Sequence, residues 1–245
     1  MNTNELVENN IKNLTNLFNL MGAKQENILN NKKLYLSNSW PNRLWMPYDY
    51  NKQDLEEAIK IELKNDKSYI ISLWEHDSKL FKESIQELEI KEYEVLFEQV
   101  GMYLDLNSIE ITENNELDIR FIKSKRDILT WVNIASKSFG YEIDENVILK
   151  IQDDKNISLL LGYKNDIAVA TTLLYKNSSV MGVHMVGVPK EYRGQRFAQS
   201  MMNKVINFSK ENGENIMTLQ SSSLGLKIYQ KLGFKQNFML KNYQK

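Results

Sequence analysis

The strongest constraint on this chain is an order of alternating patterns, met twice along its length. In each half, short apolar runs of strand type alternate with amphipathic runs of helical period. Strand 34–46, helix 53–65, strand 69–74, helix 79–90 and strand 93–106 make the first series. Strand 180–188, helix 194–212, strand 216–220, helix 222–232 and strand 234–243 make the second. The match lies in pattern more than in letters, so it points to an old duplication without proving one. Such alternation requires an α/β architecture in which helices cover a sheet.

Further elements surround the two series. Val7, Ile11, Leu14, Phe18 and Met21 form the apolar stripe of a leading helix. "LDIRFIK" reads as a strand, and "KRDILTWVNIASKSFG" as a helix stopped by Gly140. "DENVILKIQDD" reads as a further helix, and residues 157–177 as a hairpin turning at Asn165-Asp166. The polar, Asn-rich stretch "NSIEITENNELD" places a domain boundary near Asn114, giving domains 1–114 and 115–245.

Composition narrows the function. Hydrophobic residues make up 42% and charged residues 26%, which supports a packed core. A net charge of −1 argues against a broad nucleic-acid grip. The chain has no cysteine and only two histidines, His76 and His184, so neither thiolate chemistry nor a metal site is expected. No uncharged apolar run approaches the ~18 residues of a membrane span, and the N-terminus lacks a signal-peptide pattern. The expectation is a cytoplasmic protein, with a homodimer left open.

One turn stands apart. In "HMVGVPKEYRGQRFAQSMM", Arg193 and Arg196 sit where a strand runs into a helix. Cations at a helix N-terminus are disfavoured by ~0.3–1 kcal/mol each. An anionic ligand would explain them, because the first amides of a helix have no internal partner. Gly194 permits a positive φ and a close backbone approach, and Ala198 leaves room one turn further on. Both arginines could add charge-assisted contacts to phosphate oxygens. The counterpart turn in the first half, "PYDYNKQDL", has neither glycine nor arginine.

"VGVPKEYRGQRFA" resembles the acyl-CoA-binding signature of the GNAT superfamily of N-acetyltransferases, Arg/Gln-x-x-Gly-x-Gly/Ala after a strand ending Val-x-Pro. Arg193 fills its first position and Ala198 its last, while Arg196 stands where the family carries a central glycine. "SSLGLKIYQKLGF" resembles the family's closing segment, Tyr-x-Lys-Leu-Gly-Phe. The resemblance covers residues 116–245, with the first half a reduced version lacking the cofactor turn. It implies a mixed, mostly antiparallel central sheet flanked by helices, and acetyl-CoA as cosubstrate.

It further implies that amides of Gly194, Gln195, Arg196, Phe197 and Ala198 hold the diphosphate, while Val186 and Val188 pair main-chain groups with the pantetheine arm. Tyr229 stands where relatives protonate the departing thiolate, though its ring could equally be packing. His184 could act as general base or be structural. Trp40, Trp45, Tyr48 and Tyr50 read as core, or as the wall of an acceptor pocket shaped by the first domain. The expected activity is acetyl transfer to a small-molecule or peptide amine by direct attack. The alternatives are a non-catalytic acyl-CoA-binding module and an interaction protein without a small ligand.

Overall fold

A computed structural model describes residues 1–27, 33–65, 67–110, 116–177 and 180–245. The expected boundary near Asn114 lies outside these residues. Two compact units form, and neither is continuous in sequence. The first comprises Met1–Met102, Gln220–Tyr229 and Lys235–Lys245; the second comprises Tyr103–Leu219 and Gln230–Phe234.

The first unit opens with α1 (Thr3–Leu20); of its expected stripe Val7, Ile11 and Leu14 are buried, Phe18 is half-buried, and Met21 is buried as the C-cap, while Leu17 joins the buried face. Asn2 and Glu5 form a reciprocal cap at its start. Strands β1 (Ala23–Asn27), β2 (Lys33–Ser37), β3 (Arg43–Trp45) and β4 (Ile70–Trp74) follow, with α2 (Lys52–Lys64) between the last two. The segment expected to be one extended strand at 34–46 is instead β2 and β3, paired antiparallel through Leu36 and Leu44 across a turn at residues 38–42. β3 and β4 run parallel, with Leu44 beside Ile71. Then come α3 (Ser78–Ile90) and β5 (Glu94–Asp105), most of which lies in this unit.

The last strand, β11 (Lys235–Gln244), also belongs here, antiparallel to β4 from Leu240–Trp74 to Tyr243–Ile71 and inserted between β4 and β5. Burial explains the placement. Leu240 and Tyr243 join Leu34, Leu44, Trp45, Ile71 and Trp74 in one core. Burying a side chain of this size contributes ~1.5–3 kcal/mol, so a sequence cut that removed β11 would strip its neighbours of cover. Trp45 and Tyr50 are core residues too, which answers the wall-or-core alternative for those two.

The second unit carries β6 (Asp118–Ile122), α4 (Lys125–Phe139), α5 (Glu145–Ile151), β7 (Ile157–Lys164), β8 (Ile167–Lys176), β9 (Met181–Gly187), α6 (Phe197–Glu211) and most of β10 (Ile216–Ser221). Its strand order is β10-β9-β8-β7-β6, antiparallel except for β9 and β10. The β7–β8 hairpin turns at Asn165 and Asp166, with φ of 50° and 62°. Two left-handed residues are what a tight two-residue hairpin turn demands. Trp131 of α4 is fully buried, and its indole donates to Thr172 O at 3.2 Å, which fixes the helix on the sheet. Each unit is thus a mixed, mostly antiparallel sheet flanked by helices.

Candidate functional site: the junction of β9 and α6

β9 departs from a regular strand. Opposite β8 its register runs from Leu173–His184 to Thr171–Gly187, so three steps on β9 face two on β8. Met185 takes a left-handed φ of 54°, and the Thr171 hydroxyl donates to Met185 O at 3.0 Å. This is a β-bulge held by a side chain, a device that re-aims a strand. On its other edge, β9 pairs in parallel with β10 at Met181–Met217 and Gly182–Thr218 and runs on to Gly187 beyond these pairs.

Gly187 is needed for packing. A Cβ there would lie 2.8 Å from Ser138 Cβ and 2.8 Å from Thr171 Oγ1. The end of α4 therefore rests directly on the end of β9. Arg193 fastens the same corner. Its guanidinium donates from Nε to Val188 O at 3.0 Å and from Nη2 to Ser138 O at 2.8 Å. The expected phosphate contact of this arginine is thus replaced, for those two nitrogens, by bonds that tie the strand end to the C-terminus of α4. A cation at the carbonyl end of a helix is also favoured by its dipole. Ser138 carries no local sign of this role, because it lies 55 residues from Arg193.

The turn itself alternates in handedness. Arg193 is extended, with φ −70° and ψ 164°, Gly194 has φ 78°, and Arg196 has φ 61°. Two left-handed residues delay the helix, so α6 starts at Phe197 rather than at the expected 194. Arg196 thus holds, at the place of the family's central glycine, a left-handed conformation that glycine adopts most readily. A Cβ at Gly194 would meet no atom within 4 Å, so that glycine serves conformation and not packing.

Capping distinguishes α6 from the other long helices. Asn2, Asn51, Asp77 and Ser124 each accept an amide of α1, α2, α3 and α4 respectively. The N-cap of α6 is Arg196, which offers no acceptor. Among the described residues, the N–H groups of Gly194, Gln195, Arg196, Phe197, Ala198 and Gln199 have no protein acceptor; the first bond of the helix is Ser200 N–H to Arg196 O at 3.0 Å. The same turn of the first half is closed. Between the parallel strands β3 and β4, Asn51 takes the amide of Asp54, whose carboxylate takes the amide of Asn51. Trp74 and Tyr50 fill that region, edge to face at 6.1 Å, and the Trp74 indole donates to Tyr48 O at 3.0 Å.

The remaining expected residues fall as follows. Val186 and Val188 are half-buried around the end of β9. Phe197 is buried and anchors the start of α6, and Ala198 is half-buried. His184 is buried within β9, and burial depresses its pKa to about 4. Tyr229 lies in α7 (Leu226–Lys231) and is half-buried, and burial pushes its phenol up to about 12. It belongs to the first unit, whereas the β9–α6 turn belongs to the second. Among the described residues no group of three metal-binding side chains assembles, and no helix is long and apolar enough to cross a membrane.

Residues 119–236 match the family model of the acetyltransferase (GNAT) domain. The match places a GNAT acetyltransferase-type domain at residues 119–236, in the part of the chain that holds the β9–α6 turn. A GCN5-related N-acetyltransferase from Kribbella flavida is similar over 97% of this chain and 95% of its own, with a TM-score of 0.71 and 13% identity. A GCN5-related N-acetyltransferase from Sphaerobacter thermophilus is similar over 87% of this chain and 80% of its own, with a TM-score of 0.62 and 13% identity. A tandem GNAT protein from the clavulanic acid biosynthesis pathway covers 87% of this chain and 78% of its own, with a TM-score of 0.58 and 9% identity. At these identities the likeness is one of fold. No protein of curated function matches the sequence.

Proposed function

We propose that the chain is an N-acyltransferase that uses acetyl-CoA and transfers the acetyl group to an amine by direct attack. The observation that carries this reading is the run of amides from Gly194 to Gln199 without a protein acceptor, closed by a cation instead of a cap. A diphosphate is the ligand that such a run suits, because it accepts several N–H bonds and gains from the helix dipole. The residues present therefore fit the group: the amides of Gly194, Gln195, Arg196, Phe197 and Ala198 would hold the diphosphate. The exposed guanidinium of Arg196 would add charge, while Arg193 holds the turn in place. Main-chain groups of Val186 and Val188, at the bulged end of β9, would pair with the pantetheine arm as an added strand does.

The chemistry follows from these supports. The amine nitrogen bonds to the thioester carbon, the carbon–sulfur bond breaks, and the sulfur leaves with the electron pair. Tyr229, kept protonated by burial, is the group we assign to supply a proton to that sulfur. His184 is a poor proton acceptor, since its imidazolium would hold a proton only near pH 4, so the amine gives its proton to solvent. Holding donor and amine together supplies much of the acceleration. The first half, which repeats the strand–helix–strand order with its turn closed, is assigned as a reduced GNAT-like partner that shapes the acceptor site.

Calorimetry with acetyl-CoA, followed by transfer of labelled acetyl to a panel of amines, tests the proposal. Binding with transfer is expected. Binding without any product would leave an acyl-CoA-binding module, and no heat of binding would remove the reading altogether. Tyr229→Phe is expected to lower kcat at least tenfold with acetyl-CoA affinity retained; unchanged turnover would remove tyrosine from the mechanism.

A further inference from the structure

Met185 is the strained residue of β9. Its φ of 54° is left-handed, a conformation that an L-residue other than glycine keeps only where its surroundings impose it. The support comes from Thr171 of β8, whose hydroxyl donates to Met185 O at 3.0 Å. That hydroxyl has little freedom. Thr171 is fully buried, and a Cβ added at Gly187 would lie 2.8 Å from its Oγ1 and 2.8 Å from Ser138 Cβ. A β-branched side chain is also stiff at χ1, so the bond is held in one direction. Leu173 pairs with His184 and Thr171 with Gly187, which leaves Met185 and Val186 together opposite Thr172. A side chain thus takes over where the ladder is interrupted.

One bond then fixes two groups. The Met185–Val186 peptide is trans, so its C=O and its N–H point in opposite directions within one plane. With the carbonyl turned to Thr171, the Val186 N–H is turned away from Thr171 and so away from β8. On its other edge β9 pairs with β10 at Met181–Met217 and Gly182–Thr218, and Val186 lies beyond these pairs. Among the described residues Val186 has no register partner on either β8 or β10, and it is half-buried at the strand end that leads into the β9–α6 turn.

We propose that Thr171 is a positioning residue for acyl transfer: by holding the Met185 carbonyl it aims the Val186 N–H at the carbonyl oxygen of the thioester. The inference rests on the acyltransfer reading. When the amine nitrogen bonds to the thioester carbon, an electron pair of the C=O bond moves onto oxygen, and an aimed N–H stabilises the charge that develops there. The pair returns to the carbon–oxygen bond as the carbon–sulfur bond breaks and the sulfur leaves with its electrons. The N–H keeps its proton throughout. The Val186 carbonyl and the groups of Val188 remain for the pantetheine arm. Thr171 touches neither reactant and acts through one peptide plane.

The test uses the full-length protein with Thr171→Val, which keeps the shape and loses the hydroxyl, and Thr171→Ser, which keeps the hydroxyl. In the wild type the Val186 amide proton, read by NMR, is expected to move downfield when acetyl-CoA replaces CoA, because only acetyl-CoA brings the thioester carbonyl. Thr171→Val is expected to lose that shift and to lower kcat about ten- to a hundredfold, a part of the ~10²–10³ that an oxyanion donor supplies, with the Kd for CoA within about twofold of wild type. Thr171→Ser is expected to keep the shift and kcat. An unmoved Val186 amide in the wild type, a Thr171→Val protein with wild-type kcat, or equal losses in Thr171→Ser would overturn the proposal. So would a Thr171→Val loss as large in CoA affinity as in kcat, since that marks a collapsed strand end and not a turned peptide. If acetyl-CoA binds but no amine is acetylated, the acyltransfer reading fails by itself. The Val186 shift then decides the role of Thr171: a shift seen in the wild type and lost in Thr171→Val supports it, and one absent from the wild type or kept in the variant refutes it.

Discussion

Replacing Arg196 with glycine separates what the backbone of the β9–α6 turn requires from what its side chain does. Arg196 sits at φ 61° and ψ 16°, and its side chain makes no capping bond. For an L-residue the left-handed conformation costs about 1–2 kcal/mol. Glycine takes it freely but loses about 0.5–1 kcal/mol more to chain entropy on folding. The difference predicts that Arg196→Gly stabilises the apo-protein by about 0.5–1 kcal/mol, a Tm rise of about 1–4 °C for a chain of this size. Affinity should move the other way. Losing one exposed charge beside a diphosphate should weaken acetyl-CoA binding about three- to tenfold, with a shallower dependence on salt. Urea melts at constant m-value and calorimetry at two ionic strengths measure both quantities. A destabilised variant would refute the strain argument. Unchanged affinity and unchanged salt dependence would refute the assignment of this guanidinium to phosphate.

The Arg193 clamp predicts that Arg193→Ala costs about 1–2 kcal/mol, and that Arg193→Lys recovers little of it, because one ammonium cannot serve both Val188 O and Ser138 O. Full recovery of Tm by lysine would show that charge alone matters. His184 predicts an acid-sensitive fold. Its folded pKa of about 4 lies below the unfolded value near ~6.5, so its effect is absent above pH 6.5 and grows as pH falls towards 4. The unfolded chain takes the proton first, which costs about 2 kcal/mol at pH 5. His76, also depressed by burial, acts in the same direction, so the informative quantity is the difference between wild type and His184→Gln across pH 4.5–7.5; parallel curves would refute it. Calorimetry should give one acetyl-CoA per chain, since the first-half turn is closed by Asn51 and Asp54 and its aromatic pair is packed; a stoichiometry of two would contradict that.

Local physics made much of this legible, and the failures share one cause. Val7, Ile11 and Leu14 of α1 and the Phe197–Met201–Val205 face of α6 are buried as their period requires. The Asn165-Asp166 turn is left-handed at both residues, as a hairpin there demands. Those features depend on neighbours in sequence. The place of β11 does not: its partner β4 is more than a hundred residues away, and no pattern in "FKQNFMLKNYQ" names it. The two arginines show the same limit within a single motif. Their sequence context gives them equal standing as phosphate ligands, yet a distant carbonyl at Ser138 engages one, while a left-handed backbone holds the other in place of a cap. What the sequence exposes at this turn is an imbalance of charge. Which arginine answers it depends on where α4 ends, and that is settled only when Gly187 lets Ser138 come down onto the strand.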